Sequence, residues 1–89
     1  MEHDFQKLEE ALRQSKDIPG MFLYKFIIPN NNETLAQTMQ LFDNSADVVT
    51  RESSNGKYVS ISSKEVVISV EDVIEKYKLA ANIKGLIFL

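Results

Sequence analysis

Residues 53–63 read SSNGKYVSISS: one glycine among an asparagine, a lysine and six hydroxyl-bearing side chains. Three kinds of chemistry use such residues. Backbone amides beside a glycine can cradle a phosphate, a tyrosine among small hydroxyls can form a recognition face on a strand, and Asn-Gly can simply turn a hairpin. A phosphate loop needs a strand, the loop and then a helix, with G-K-S/T in the loop; here a strand-like run follows Gly56 and that tripeptide is absent. The hairpin is therefore the expected structure. A type I′ turn at Asn55-Gly56, flanked by Ser54 and Lys57, sets Ser53 opposite Tyr58, Arg51 opposite Ser60 and Val49 opposite Ser62 on one face. The other face then carries Glu52 with Val59, Thr50 with Ile61 and Val48 with Ser63.

The remaining reactive residue types do not assemble into a catalytic set. His3 is the only histidine and sits beside Glu2 and Asp4, with no further ligands at metal-binding spacing, so it reads as a solvated residue. Glu9, Glu10, Glu71, Asp72 and Glu75 fall on polar helix faces or in first turns, where they oppose the helix dipole or keep the surface soluble. Lys25 interrupts an otherwise apolar strand, which a snorkelling stem or a pairing with a helix carboxylate explains. The chain has no cysteine, which removes disulfides, thiolate metal sites and cysteine nucleophiles. No nucleophile, base and orienting group can be named together, so no enzyme activity and no cofactor are expected.

The elements that must position these residues follow from periodicity. Phe5, Leu8 and Leu12 mark a one-sided helix over residues 3–14, ended before Pro19-Gly20. MFLYKFII is a strand with two apolar faces: Phe22, Tyr24, Phe26 and Ile28 on one, Met21, Leu23 and Ile27 with Lys25 on the other. Such a strand is expected at the centre of a sheet, covered on both sides. Pro29 and three asparagines stop it and cap a helix running to about Phe42, with Leu35, Ala36, Met39 and Phe42 as its buried stripe. Asp43-Asn44-Ser45 is turn chemistry. After the hairpin, KYVSISSKEVVI is a strand expected to bend near Ser63-Lys64. Ser69-Val70-Glu71-Asp72 then resembles a capping box, with Asp in place of the usual Glu or Gln, and opens a helix through Val70, Val73, Ile74, Tyr77 and Ala80. Asn82 is its expected stop, near Gly85, and LIFL closes the chain as a strand.

The order is a helix followed by β-α-β-β-α-β. It predicts an α+β, ferredoxin-like fold: a four-stranded antiparallel sheet with the first and third strands central, two helices on one face and an additional N-terminal helix. Residues 1–18 form that helix and a linker, and residues 19–89 form a single domain. With 89 residues, 44% hydrophobic and 26% charged, the chain has ordinary globular composition. A net charge of −3 disfavours a binder of phosphate backbones, although a local basic patch is compatible with it. The N-terminal MEHDFQKLEE is acidic and lacks an apolar core segment, and no apolar run reaches membrane-spanning length, so a soluble cytoplasmic protein without membrane contact is expected.

From Phe22 onward the chain resembles the YbeD-like family of small bacterial proteins. The resemblance is carried by F-x-Y-K at Phe22 to Lys25 and S-S-x-G-x-Y-x-S-x-S at Ser53 to Ser62, with a helix bearing Tyr77 and an apolar last strand. It implies a ferredoxin-like sheet similar to the regulatory ACT domains, which bind amino acids at paired interfaces, and it implies no catalytic residues. Tyr24, Lys25, Gly56, Tyr58, Ser60 and Ser62 take positions in the family's pattern. Where ligand-binding ACT domains commonly have glycine after the first strand, this chain has Pro29-Asn30-Asn31-Asn32.

Together these readings predict a non-enzymatic regulatory or protein-interaction module whose open sheet face carries Tyr24, Arg51, Tyr58, Ser60 and Ser62. Its expected partners are a second copy of the chain, another protein or a small metabolite. The doubly apolar first strand requires a cover on the open side, and the N-terminal helix, a second copy or a ligand are the candidates. The alternative is a single-stranded nucleic-acid module that stacks bases on Tyr24 and Tyr58, like the RNA recognition motif. Against it stand the acidic charge and the serines where further aromatics would be expected.

Overall fold

The structure is a computed structural model that describes residues 5–42 and 47–88. The expected helix start at residue 3, His3 with Glu2 and Asp4, the Asp43-Asn44-Ser45 turn and the terminal Leu89 lie outside the described residues.

Helix α1 (Gln6–Gln14) turns its apolar side inward: Leu12 is buried, and Phe5 and Leu8 pack against the core at its rim. Strand β1 (Gly20–Pro29) follows. Asn31 then caps helix α2 (Asn32–Met39), its side-chain oxygen accepting from the Thr34 amide at 2.8 Å. The α2 stripe differs from the expected one. The helix ends at Met39, Ala36 and Met39 are exposed, and the buried face of the helix is built by Thr34 and Thr38, while Leu35 is half-buried and Phe42, just beyond the helix, is buried in the core as expected. Both threonines satisfy their hydroxyls locally: Thr34 Oγ1 donates to the Pro29 carbonyl and Thr38 Oγ1 to the Thr34 carbonyl, each at 2.7 Å. A hydroxyl paired in this way can be buried without an uncompensated desolvation cost, which an apolarity count does not register.

Strand β2 (Asp47–Glu52) and strand β3 (Tyr58–Val67) form the hairpin. Their register sets Arg51 opposite Ser60, Val49 opposite Ser62 and Val48 opposite Ser63, as the position of Asn55-Gly56 predicts. The turn itself differs. Only Gly56 has positive φ, at 73°, and its amide donates to the Ser53 carbonyl at 2.9 Å. A turn across Ser53–Gly56 without a left-handed central residue is type I, and Gly56 supplies the left-handed residue that follows it. The bend expected near Ser63-Lys64 does not occur: β3 pairs with β1 without interruption from Tyr58 to Val67.

Ser69 caps helix α3 (Val70–Ala81), accepting from the Asp72 amide at 3.2 Å, and Val70, Val73, Ile74, Tyr77 and Ala80 are all buried. Gly85, at φ 82°, turns the chain so closely past Pro29 that a Cβ there would lie 2.7 Å from the proline ring. Strand β4 (Ile87–Phe88) then pairs with β1.

The result is an α+β fold with a four-stranded antiparallel sheet in the order β2-β3-β1-β4 and three helices. This is consistent with the ferredoxin-like class. The apolar sides of the helices meet one sheet face in a single core centred on Tyr24, Phe26, Ile28 and Ile61. Helix α1 belongs to this layer too. Phe5 lies 6.0 Å from the Tyr77 ring and 5.7 Å from Phe88, and Arg13 pairs with Glu71 of α3 at 2.8 Å. The expectation that α1 could cover the opposite face is thereby corrected. Its apolar stripe is already spent on α3 and the sheet margin.

Candidate functional site

The strand register arranges the uncovered face in rows. Met21 of β1 stands beside Val66 of β3, and Leu23 stands beside Lys64, which faces Asp47 of β2. The next row is Lys25, Ser62 and Val49, and the one after it Ile87, Ile27, Ser60 and Arg51. Tyr58 closes the face beside Pro29. Six large hydrophobic residues here are exposed: Met21 61%, Leu23 51%, Val49 60%, Tyr58 44%, Val66 73% and Ile87 50%. No element among the described residues lies over them.

Four of the five residues expected to share this face do so: Arg51, Tyr58, Ser60 and Ser62. Tyr24 does not. It pairs with Ser63 on the helix side and is 1% exposed, so its place in a recognition face is corrected. The reason is parity. Tyr24 shares its strand face with Phe22, Phe26 and Ile28, and the aromatic-rich face is the one the helices cover. All the aromatic side chains except Tyr58 belong to one cluster there, with ring centroids 4.8 to 6.3 Å apart. Tyr58 is thus the only aromatic residue on the open face, and the paired stacking platform of the nucleic-acid reading is not formed.

The charges of the open face run against those of the whole chain. Lys25, Arg51 and Lys64 stand on it with one carboxylate, Asp47, while the chain carries a net −3. None of the three cations forms an ion pair among the described residues. The helix carboxylate expected to meet Lys25 is therefore not its partner.

At the hairpin end the face becomes concave. Ile27, Arg51, Glu52, Ser53, Ser54, Tyr58 and Ser60 line a depression of about 380 Å³. Its wall is held by a dense set of bonds that centre on Asn30 and the turn. The Asn30 side-chain amide donates at 2.8 Å both to the Gly56 carbonyl and to Glu52 Oε1, and its backbone amide donates to the Lys57 carbonyl at 2.9 Å. Within the turn, the Tyr58 amide donates to Ser53 Oγ at 3.1 Å and the Lys57 amide to Asn55 Oδ1 at 3.0 Å. Among the described residues that line it, the Arg51 guanidinium and the hydroxyls of Ser54 and Tyr58 are left without a partner.

A second polar cluster lies on the helix side and was not apparent from residue spacing. Lys76 of α3 pairs with Glu65 of β3 at 2.7 Å, their side chains only 18% and 14% exposed, and the ammonium lies 5.0 Å from the ring centres of both Tyr24 and Phe42. Two π faces and one carboxylate replace the water that Lys76 loses. Burial, then the charge of Glu65, pushes the Tyr24 hydroxyl well above the usual tyrosine range, and burial also raises Tyr77. Ser63, opposite Tyr24, is wholly buried and its hydroxyl has no hydrogen-bond partner among the described residues. Among the described residues the cluster has no exposed nucleophile, so it reads as packing.

Among the described residues no group of acidic or histidine side chains could hold a metal ion, and no helix is long and apolar enough to cross a membrane. Compared with protein families, with curated proteins and with solved structures, the chain matches none of them.

Proposed function

We propose that this chain is a non-enzymatic interaction module of the ferredoxin-like, ACT-similar kind implied by its YbeD-like resemblance, and that its open sheet face takes a polypeptide partner with acidic and aliphatic side chains. The observation that carries the reading is the uncovered side of β1, where Met21 and Leu23 remain more than half exposed. Soluble proteins seldom keep contiguous aliphatic surface of this sort without a use for it.

Charge and backbone narrow the occupant. A second copy packed face to face would set Lys25, Arg51 and Lys64 against their own equivalents with only Asp47 to offset them, whereas an acidic segment laid across the Met21–Leu23 end would pair Lys25 and Lys64. In addition, β4 pairs with β1 only at Phe26 and Ile27, so the outer edge of β1 from Gly20 to Lys25 has no strand partner among the described residues. An unpaired edge next to Met21, Leu23 and Lys25 is a template for an added strand, with backbone bonds supplying affinity and alternate side chains specificity. Aliphatic groups with a single aromatic suit a protein segment better than stacked bases.

The test is affinity capture on the full chain, comparing wild type with Leu23→Asp and with the double reversal Lys25→Glu/Lys64→Glu, alongside light scattering of each. The expected result is a monomer that retains a partner with an acidic, aliphatic segment and loses it in both variants. A retained set that is the same for all three proteins would sink the reading. A dimer broken by Leu23→Asp would transfer the face to a second copy, and salt-sensitive retention of oligonucleotides alone would transfer it to nucleic acid.

A further inference from the structure

We infer that the depression at the hairpin end of the open face is a binding site for a small organic anion, a carboxylate or phosphate monoester attached to an aromatic or aliphatic body. The inference rests on the reading of this sheet face as a recognition surface and deepens it, but it uses a different end of the face. Met21, Leu23, Lys25, Lys64 and the open edge of β1 do not line the depression.

The donor set argues for an anion. The Arg51 guanidinium has no ion-pair partner and no side-chain hydrogen bond among the described residues, and the hydroxyls of Ser54 and Tyr58 are likewise unbonded. Three such donor-bearing residues line one concavity, and a guanidinium meets a carboxylate or phosphate through two parallel bonds. The neighbouring polar groups bond to one another or to Asn30, with Glu52 using one of its two oxygens. Glu52, the carboxylate at the rim, accepts from Asn30 at 2.8 Å, Ser60 Oγ donates to the Arg51 carbonyl at 3.3 Å, and Ser53 Oγ bonds Asn55 and the Tyr58 amide.

The floor argues for an attached apolar body. Ile27 and Tyr58 supply apolar lining beside the donors, and a space of about 380 Å³ is in the range that holds a small metabolite. The site is also pre-organised, because the turn that carries Ser54 is tied to β1 through Asn30 and needs little ordering when a ligand arrives.

The experiment is an amide-resonance titration of the full chain with four probes at millimolar concentration: benzoate, phenyl phosphate, inorganic phosphate, and benzamide as the neutral counterpart of benzoate. At least one of the two aromatic anions should shift Arg51, Ser54, Tyr58 and Ser60, with benzamide and inorganic phosphate weaker by roughly tenfold or more. Arg51→Gln should abolish the shifts, and Arg51→Lys should retain a weaker response. The inference is overturned if neither aromatic anion shifts these residues, if benzamide or inorganic phosphate does as well, or if Arg51→Gln leaves the titration unchanged. Because Arg51→Gln spares the Leu23 end of the face, failure here would leave the partner capture intact, and the reverse also holds.

Discussion

Strand β1 presents Tyr24, Phe26 and Ile28 to the helices with at most 1% of each exposed, and Met21 and Leu23 to the other side at 61% and 51%. Both faces are built of large apolar side chains, so hydrophobicity alone does not explain why one is sealed and the other is not. The difference lies in what is available to cover them. The apolar stripes of the helices converge on the aromatic face, whose rings interlock with Phe42 of the α2–β2 connection and Tyr77 of α3, while the aliphatic face receives no element among the described residues. The sealed face holds the fold together. The open one is the face proposed for recognition.

The sharpest way to break this comparison is to truncate one residue on each side. Phe26→Ala should cost about 3–5 kcal/mol in chemical denaturation, whereas Leu23→Ala should stay within about 0.5 kcal/mol. Equal losses would mean that the open face is covered in solution. Next in size is Lys76→Met, which leaves Glu65 without its partner in a nearly dry site. It should cost about 2 kcal/mol, less than a fully buried pair because both side chains keep some exposure, and adding Glu65→Leu should restore part of that loss.

Ser63→Ala should be neutral or raise stability by up to about 1 kcal/mol, since it removes a buried hydroxyl with no partner, and a clear loss in thermal unfolding would mean that a water satisfies it. The smallest effect belongs to the exposed Arg13–Glu71 pair. The Arg13 hydrogen bond holds Glu71 below the ordinary carboxylate range, so its small contribution is present above that range and is lost as pH falls through the folded value. Arg13→Gln should move the Glu71 titration midpoint upward in carboxylate-resolved NMR without changing the midpoint of thermal unfolding at neutral pH.

A pH series sharpens the contrast on the sealed side. The folded Tyr24 hydroxyl titrates above its unfolded counterpart, so the associated stability is complete below the ordinary tyrosine value and is lost as pH rises through the folded one. Alkaline unfolding should therefore coincide with the phenolate absorbance of Tyr24, and Tyr24→Phe should shift that unfolding to higher pH.

Much of this architecture is legible in the chain because the local signals agree with one another. Asn55-Gly56 centred the hairpin and thereby set the β2–β3 register. Ser69 and Asn31 announced their helices through caps, and the three-and-four spacing of Val73, Ile74, Tyr77 and Ala80 marked the buried side of α3. The same local logic failed at α2, where buried threonines satisfy their own hydroxyls, and at the turn, where a glycine after a type I turn replaces the I′ geometry. For the candidate site, pairing across the hairpin correctly grouped Arg51, Tyr58, Ser60 and Ser62, because all four lie on strands joined by one short turn.

Alternation along β1 likewise separated Tyr24 from Leu23 and Lys25 without ambiguity, since successive side chains must point to opposite sides of a sheet. It could not say which side the helices would choose. That depends on how the register of β1 against β3 matches two sets of faces distant in the chain, and on helices whose apolar stripes fit the aromatic set. Only tertiary packing decided that Tyr24 is core, that α1 docks beside α3, and that Asn30 of one loop braces the turn of another, because each rests on contacts between segments whose separation along the chain carries no local signal.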